Sequence, residues 1–358
     1  MSIAFSRERW VGVKENARKW WAGELDRPLI QLAVPGRDPG HPEPKLPSYA
    51  FTAFYDLSIP AEDIVDRWDY DLSTMEYVGD GFPSIWPNFG PGVIAALMGC
   101  ELECGNDTVW FHPKEIKEIA EISFKYNPDN IWLHRIKDIC RAAVERWEGL
   151  VQVGMTDLGG NLDILSSFRP SERLLLDLYD YPEEVKRLTW EAHEMWWKYF
   201  DEINTVLQPT NPGYTAWAPM FSEEPYYILQ CDFCYMIGPE TFDEFVKPEL
   251  AASCKRLTNP FYHLDGPGEL PHLDSLLSIP ELKGIQWIAG TNNIHADEQW
   301  PVVYRKVRDA GKLIQTSSYD NNFEPLVAYL GSGKGIILLG SAASIDEARS
   351  LVKKYGAD

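Results

Sequence analysis

Apolar residues recur along this chain with two periods, and the alternation between those periods lays out its elements. Residues 7–22 (RERWVGVKENARKWWA) have helical spacing, after which Asp26-Arg27-Pro28 breaks into the apolar run LIQLAV, a buried strand over 28–34 that ends at Pro35-Gly36-Arg37. From Asp38 to Tyr49 the chain is rich in Pro and Gly and reads as loop. Between 50 and 112, helical fragments (AEDIVDRW, GVIAALMG) alternate with the breaker-rich DGFPSIWPNFGPG, and a short strand TVWF follows. Residues 38–112 are therefore taken as an irregular insertion or cap. Helices are expected over 114–124 and 129–147, the second with Ile131, Ile136, Ile139, Ala143 and Trp147 on one face. A strand LVQVGM at 150–155 follows, and Asp180 stands where it can cap a long helix from Pro182 to Leu207.

Beyond that point the rhythm is regular. Strand-like runs fall at 213–219, 260–264, 284–289, 312–317 and 335–340 with helices between them, and the last helix opens with Ser344-Ile-Asp-Glu347, a capping-box spacing. With 28–34 and 150–155 this makes seven strands, and an eighth fits within 50–112. No Gly-rich dinucleotide fingerprint follows any strand, so the alternation favours a single (β/α)8 barrel domain over residues 1–358 rather than an open doubly wound sheet. Gly331-Ser-Gly-Lys334-Gly precedes a strand and lacks the following Ser or Thr, so it is no phosphate loop.

Composition narrows the partners. A net charge of −21 opposes binding to nucleic acid or anionic membrane, whose phosphates would be repelled. No apolar run approaches the roughly 18–20 residues of a membrane span, and the N-terminal residues lack the apolar core of a signal peptide, which makes the cytoplasm the expected location. Cys100, Cys104, Cys140, Cys231, Cys234 and Cys254 are few and scattered, as free thiols or metal ligands would be, unlike a disulfide framework. Aromatic residues make up 13% of the chain, enough to serve the core and also a subunit interface such as that of a homodimer.

In a parallel barrel the chemistry sits just past the C-terminal ends of the strands. Those positions hold Arg37; Asp157, Asn161 and Asp163; Trp217; His263 and Asp265; Thr291 and Asn292; Thr316, Ser317 and Tyr319; and Ser341. His263-Leu-Asp265 is the sharpest signal, because residues two apart on an extended segment point the same way, and an imidazole and a carboxylate could share one metal or one proton. The plainer alternative is a His263 merely hydrogen-bonded by a neighbour. His272 and Asp274 repeat the spacing on an expected helix, where they do not share a face, and are assigned to the surface. Cys231-Asp-Phe-Cys234 could be a redox pair or half a zinc knot, but its aromatic surroundings favour structural thiols, and Asp232 between them is the more interesting group.

The segments GMTDLGGNLDIL, LLLDLYDYPEEVKRL, MIGPETFDEFVKPEL, FYHLDG and IILLGSAASIDEARSLV resemble successive signatures of the uroporphyrinogen decarboxylase superfamily, over about residues 27 to 355. That resemblance implies a (β/α)8 barrel and either of two chemistries, porphyrinogen decarboxylation or methyl transfer with corrinoid proteins. The decarboxylase's paired arginines fall on Ala33 and Arg37 and its late histidine on Ser341, so that activity is not expected. In the methyltransferases, zinc ligands match His263, Asp265 and Ser341; serine being a poor ligand, the third is sought among Asp232, Cys231 and Cys234, with Cys234 entered beside His263 and Asp265. The resulting expectation is a zinc-assisted methyltransferase that moves a methyl group between a small aromatic methyl ether or methylated amine and a corrinoid carried by a partner protein. Asp157, Asp232, His263 and Asp265 would be catalytic, and Arg37, Asn161, Trp217, Tyr235, Trp287, Thr316, Tyr319 and Ser341 would line the substrate. The alternatives are a metal-independent decarboxylase or lyase gripping a small carboxylic acid through Arg37, and a non-catalytic binding protein.

Overall fold

The computed structural model of the chain describes residues 3–289, 300–317 and 323–357. Its strands are β1 (Leu29–Pro35), β2 (Met75–Gly79), β3 (Ser84–Ile85), β4 (Glu101–Cys104), β5 (Val109–His112), β6 (Gln152–Val153), β7 (Tyr226–Leu229), β8 (Asn259–Asp265), β9 (Gly284–Ile288), β10 (Leu313–Ser317) and β11 (Ile336–Gly340). A seven-stranded sheet runs β2-β1-β11-β10-β9-β8-β7, parallel throughout except for β2, which is antiparallel to β1. β3 and β6 form a separate parallel pair, and β4 and β5 an antiparallel hairpin. The fold is thus mixed α/β with a parallel sheet and helices between its strands. Among the described residues, the ladder of the large sheet ends at β2 and β7 without closing on itself.

The parallel strands are covered on both faces, which is why they read as unbroken apolar runs. Phe261, Leu264, Ile285, Ile336 and Ile337 have 0% exposure, at the densest part of the core. Helix Ile131–Trp147 buries Ile136, Ile139, Ala143 and Trp147, the stripe its spacing foretold but for the exposed Ile131, and Leu133 besides; Asn130 caps it by accepting from the amides of Trp132 and Leu133. Asp80 pins the chain after β2 onto β1: its carboxylate takes two hydrogen bonds from Arg27 (2.7 and 2.9 Å) and one from the Ile30 amide.

Some expected elements differ. Residues 213–219 do not form a strand; Tyr214 alone pairs, with Ser222, and the strand instead lies at Tyr226–Leu229, all four residues buried. Gly213 shows why: its α-carbon lies so close to the 221–222 segment that a β-carbon would meet the Ser222 carbonyl at 2.3 Å, which suits a folded-back loop. The segment 114–124 holds only the short 3-10 turn Ile119–Glu121. Asp180 ends the preceding helix, Ser171–Asp180, and Pro182 opens the long helix Pro182–Leu207 without a side-chain cap. His272 is buried rather than on the surface, stacked on Phe242 (centroids 4.5 Å apart) with Nε2 against the Cys234 carbonyl at 2.9 Å, while Asp274 is exposed and paired with Lys306. No helix among the described residues is long and apolar enough to cross a membrane.

Candidate active site

Strand β8 supplies the centre of the site. Along it Tyr262 and Leu264 are buried, whereas His263 and Asp265 project to the opposite face and stay half-buried, the alternation a strand imposes. In register with His263 on β9 is Gln286, whose Oε1 lies against His263 Nδ1 in a short hydrogen bond. A side-chain carbonyl oxygen can only accept, so Nδ1 carries the proton and Nε2 is left with its lone pair. Burial pulls the imidazole pKa down against the opposing influence of Asp265, which keeps the ring neutral. The indole of Trp217, from the 213–222 loop, meets the imidazole edge-on at 4.9 Å and 87°.

Asp232 arrives from another direction. It opens the 3-10 turn Asp232–Met236 that follows β7, and that turn is gripped by Asp163 on helix Asn161–Phe168. The Asp232 amide donates to Asp163 Oδ2 (3.1 Å) and the Phe233 amide to Asp163 Oδ1 (2.7 Å). The helix can approach this closely because residue 160 is glycine; a β-carbon there would stand 2.2 Å from the Gln230 carbonyl and 2.5 Å from Asp163 Oδ2. As a result Asp232, His263 and Asp265 each offer a donor atom within 4.8 Å of the others.

Acidic groups dominate the surroundings. Asp232 is an exposed residue, yet desolvation by the protein packed around its carboxyl and, after it, the charge of Asp265 push it up to about 6. Burial, and then Asp232, pushes Asp163 up to about 7. Asp157 is pushed to about 7, chiefly by burial, while its Oδ1 accepts from the Gly159 amide at 2.9 Å and so braces its own turn.

The other expected residues divide by position. Asn161, buried at the start of the helix that carries Asp163, has an Oδ1 without a partner. Tyr235 is exposed and lies over Gly268, where a β-carbon would touch its ring at 2.4 Å. Ser341, just past β11, lines two cavities of about 590 and 480 Å³ that also border β1. Cys234 is not brought into the cluster: it is buried, with its sulfur 3.9 Å from the Tyr262 hydroxyl, on the face of β8 turned away from His263. Trp287 pairs in register with Leu264 and shares that far face. Thr316 donates to the Ile337 carbonyl within the sheet (3.4 Å), and it is its neighbour Gln315 that stands in register with Gln286. Arg37 donates to the Ser73 carbonyl (2.7 Å) at the end of helix Ala61–Ser73. Gly290, Thr291, Asn292 and Tyr319, and the side chain of Ser317, lie outside the described residues.

Sequence reading missed two groups. Gln286 fixes the His263 tautomer, and its signal was available as the one polar residue within the apolar run GIQWIA. Glu269, in the turn Pro267–His272, is completely buried; neither carboxyl oxygen has a hydrogen-bond partner, and burial, helped by Cys234 and Asp232, drives its pKa up to about 11. It is therefore a neutral acid. In PGELP it looked like any solvated loop carboxylate.

No family model matches this chain, and no curated protein matches it by sequence. Among solved structures it is similar to a methyltransferase from Methanosarcina mazei, with a TM-score of 0.59 at 12% identity over 96% of this chain and 98% of that one. A second solved structure, macrophomate synthase, overlaps 65% of this chain and 75% of its own at 12% identity, but its TM-score of 0.24 carries no argument. The first likeness establishes a shared fold along nearly the whole chain.

Proposed function

We propose that the chain is a methyltransferase built on a (β/α)8 barrel, with β1, β3, β6, β7, β8, β9, β10 and β11 as the eight parallel strands. It would move a methyl group between a small substrate and a corrinoid held by a partner protein. The observation that carries the reading is the convergence of Asp232, His263 and Asp265 donor atoms within 4.8 Å, on a scaffold shared with a methyltransferase.

The residues fit a divalent metal such as zinc. Two carboxylates and one imidazole are an N/O donor set of the kind that leaves a fourth position open for water or substrate. Gln286 holds Nδ1 of His263 protonated and so leaves Nε2 as the nitrogen with a lone pair to offer a metal, the outer-shell arrangement typical of metal-binding histidines. A metal held there would act as a Lewis acid on the substrate heteroatom and ease departure of its methyl group. The protein's own part is positional. Asp163 sets the turn that presents Asp232, Gln286 orients His263, and Trp217 closes one side of the imidazole.

Metal analysis tests this reading. Purified protein is expected to carry about one zinc per chain, and His263→Ala or Asp265→Ala should lose both the metal and methyl transfer to free cobalamin while keeping native circular dichroism. Metal-free protein that cannot be reconstituted, or a His263→Ala variant of full activity, would overturn it.

A further inference from the structure

A cavity of about 580 Å³ lies between the β4–β5 hairpin, helix Asn161–Phe168 and the turn that carries Asp232. That volume is in the range of small-molecule sites, roughly 300–1,000 Å³. Its walls hold three aromatic side chains, Trp110, Phe111 and Phe233, together with the carboxylates of Asp163 and Asp232; none of its lining residues is Lys or Arg. The hydroxyls of Ser166 and Ser167 donate back to the Asp163 carbonyl, at 2.7 and 3.2 Å, so they face any ligand as acceptors. His112, on the rim, is turned to Glu103 at 3.5 Å. Gln230 also lines the cavity; it is 5% exposed, and its buried Oε1 has no partner.

We propose that this cavity binds the ammonium group, quaternary or protonated, of a small-molecule ligand. The wall offers acceptors, carboxylates and aromatic rings. An anion would meet two acids with no counter-charge, and a neutral apolar ligand would leave buried acceptors unpaired. A cation satisfies both, and aromatic rings with nearby carboxylates are the usual recognition of methylated ammonium groups. The chain's charge of −21 adds a field that draws cations towards the mouth. That this ligand is the substrate rests on the methyl-transfer reading; that the cavity takes an ammonium group does not.

Calorimetry with choline and its uncharged isostere 3,3-dimethylbutan-1-ol tests the proposal, on protein as purified and again after chelation. Choline should bind at least tenfold tighter than the neutral alcohol. Trp110→Leu should weaken choline binding about tenfold, and Trp110→Phe should largely keep it. Trp110 is 58% exposed, so neither variant endangers the fold. Equal affinity for the two ligands, no detectable choline binding, or a Trp110→Leu variant that binds choline as before overturns the proposal. Because the readout requires neither metal nor corrinoid, its failure leaves the methyl-transfer reading standing, and a metal-free protein that binds choline separates the two in the other direction.

Discussion

His263 depends on a residue of the neighbouring strand. Gln286 lies one strand away and decides which imidazole nitrogen is free, so the site's chemistry is set through a hydrogen bond in the sheet. Gln286→Leu keeps the size and the strand while removing the acceptor. It should lower zinc affinity about 10–100-fold with little change in melting temperature, measured by competition with a chromogenic chelator. Gln286→Glu keeps an acceptor and should retain most of the affinity; if both variants bind zinc like the parent, Gln286 has no orienting role. At this scale the sequence disclosed His263 and Asp265 through the parity of a strand, since residues two apart must share a face. For the third ligand it entered Cys234, and Asp232 only as a catalytic group. Both sit in a 3-10 turn, where no period of two applies, and only the folded turn shows Asp232 directed to the cluster and Cys234 directed to Tyr262.

Three elements meet at glycine 160: the loop after β6, helix Asn161–Phe168, and the segment that leaves β7. Gly160→Ala would place a methyl group 2.2 Å from the Gln230 carbonyl, a backbone atom that cannot swing aside. The helix must shift, and Asp163 with it, so the expected cost is about 1–3 kcal/mol by denaturant unfolding. Metal binding should weaken alongside, because Asp232 moves with its turn; unchanged stability would show that the contact relaxes freely. Elements of this kind were unevenly legible. Strands such as β8 and β11 stood out because burial on both faces writes them as apolar runs, and helix Ile131–Trp147 because one stripe is buried. Residues 213–219 misled, being aromatic and apolar like a strand, yet buried as a loop around Trp217, while the true strand Tyr226–Leu229 is only four residues long and follows Glu223-Glu224-Pro225. The helix Asn161–Phe168, which carries Asp163, and the helix Ser171–Asp180 after it were assigned no element from the sequence.

Across the whole molecule, negative charge is gathered inward as well as displayed. Asp157 and Asp163 are raised to about 7, far above an ordinary carboxyl. A carboxyl that holds its proton more tightly in the folded state than in the unfolded one favours folding below the unfolded pKa of about 4, and that contribution is lost as pH rises to about 7. For Asp157 the slope is about 1.4 kcal/mol per pH unit within that window. Asp157→Asn, which keeps the Oδ1 acceptor for Gly159, should therefore flatten the fall in stability between pH 4 and 7, read from urea midpoints at constant ionic strength. A parallel pair of curves for variant and parent would mean that Asp157 ionises normally. The grip of Asp163 on the turn has a consequence for how such a centre can change over time. It holds two amide hydrogens, which every residue except proline possesses, so the shape of the turn is indifferent to which side chain stands at 232. A single codon there can offer cysteine, histidine or glutamate on the same mount, and the scaffold can trade one metal preference for another without being rebuilt.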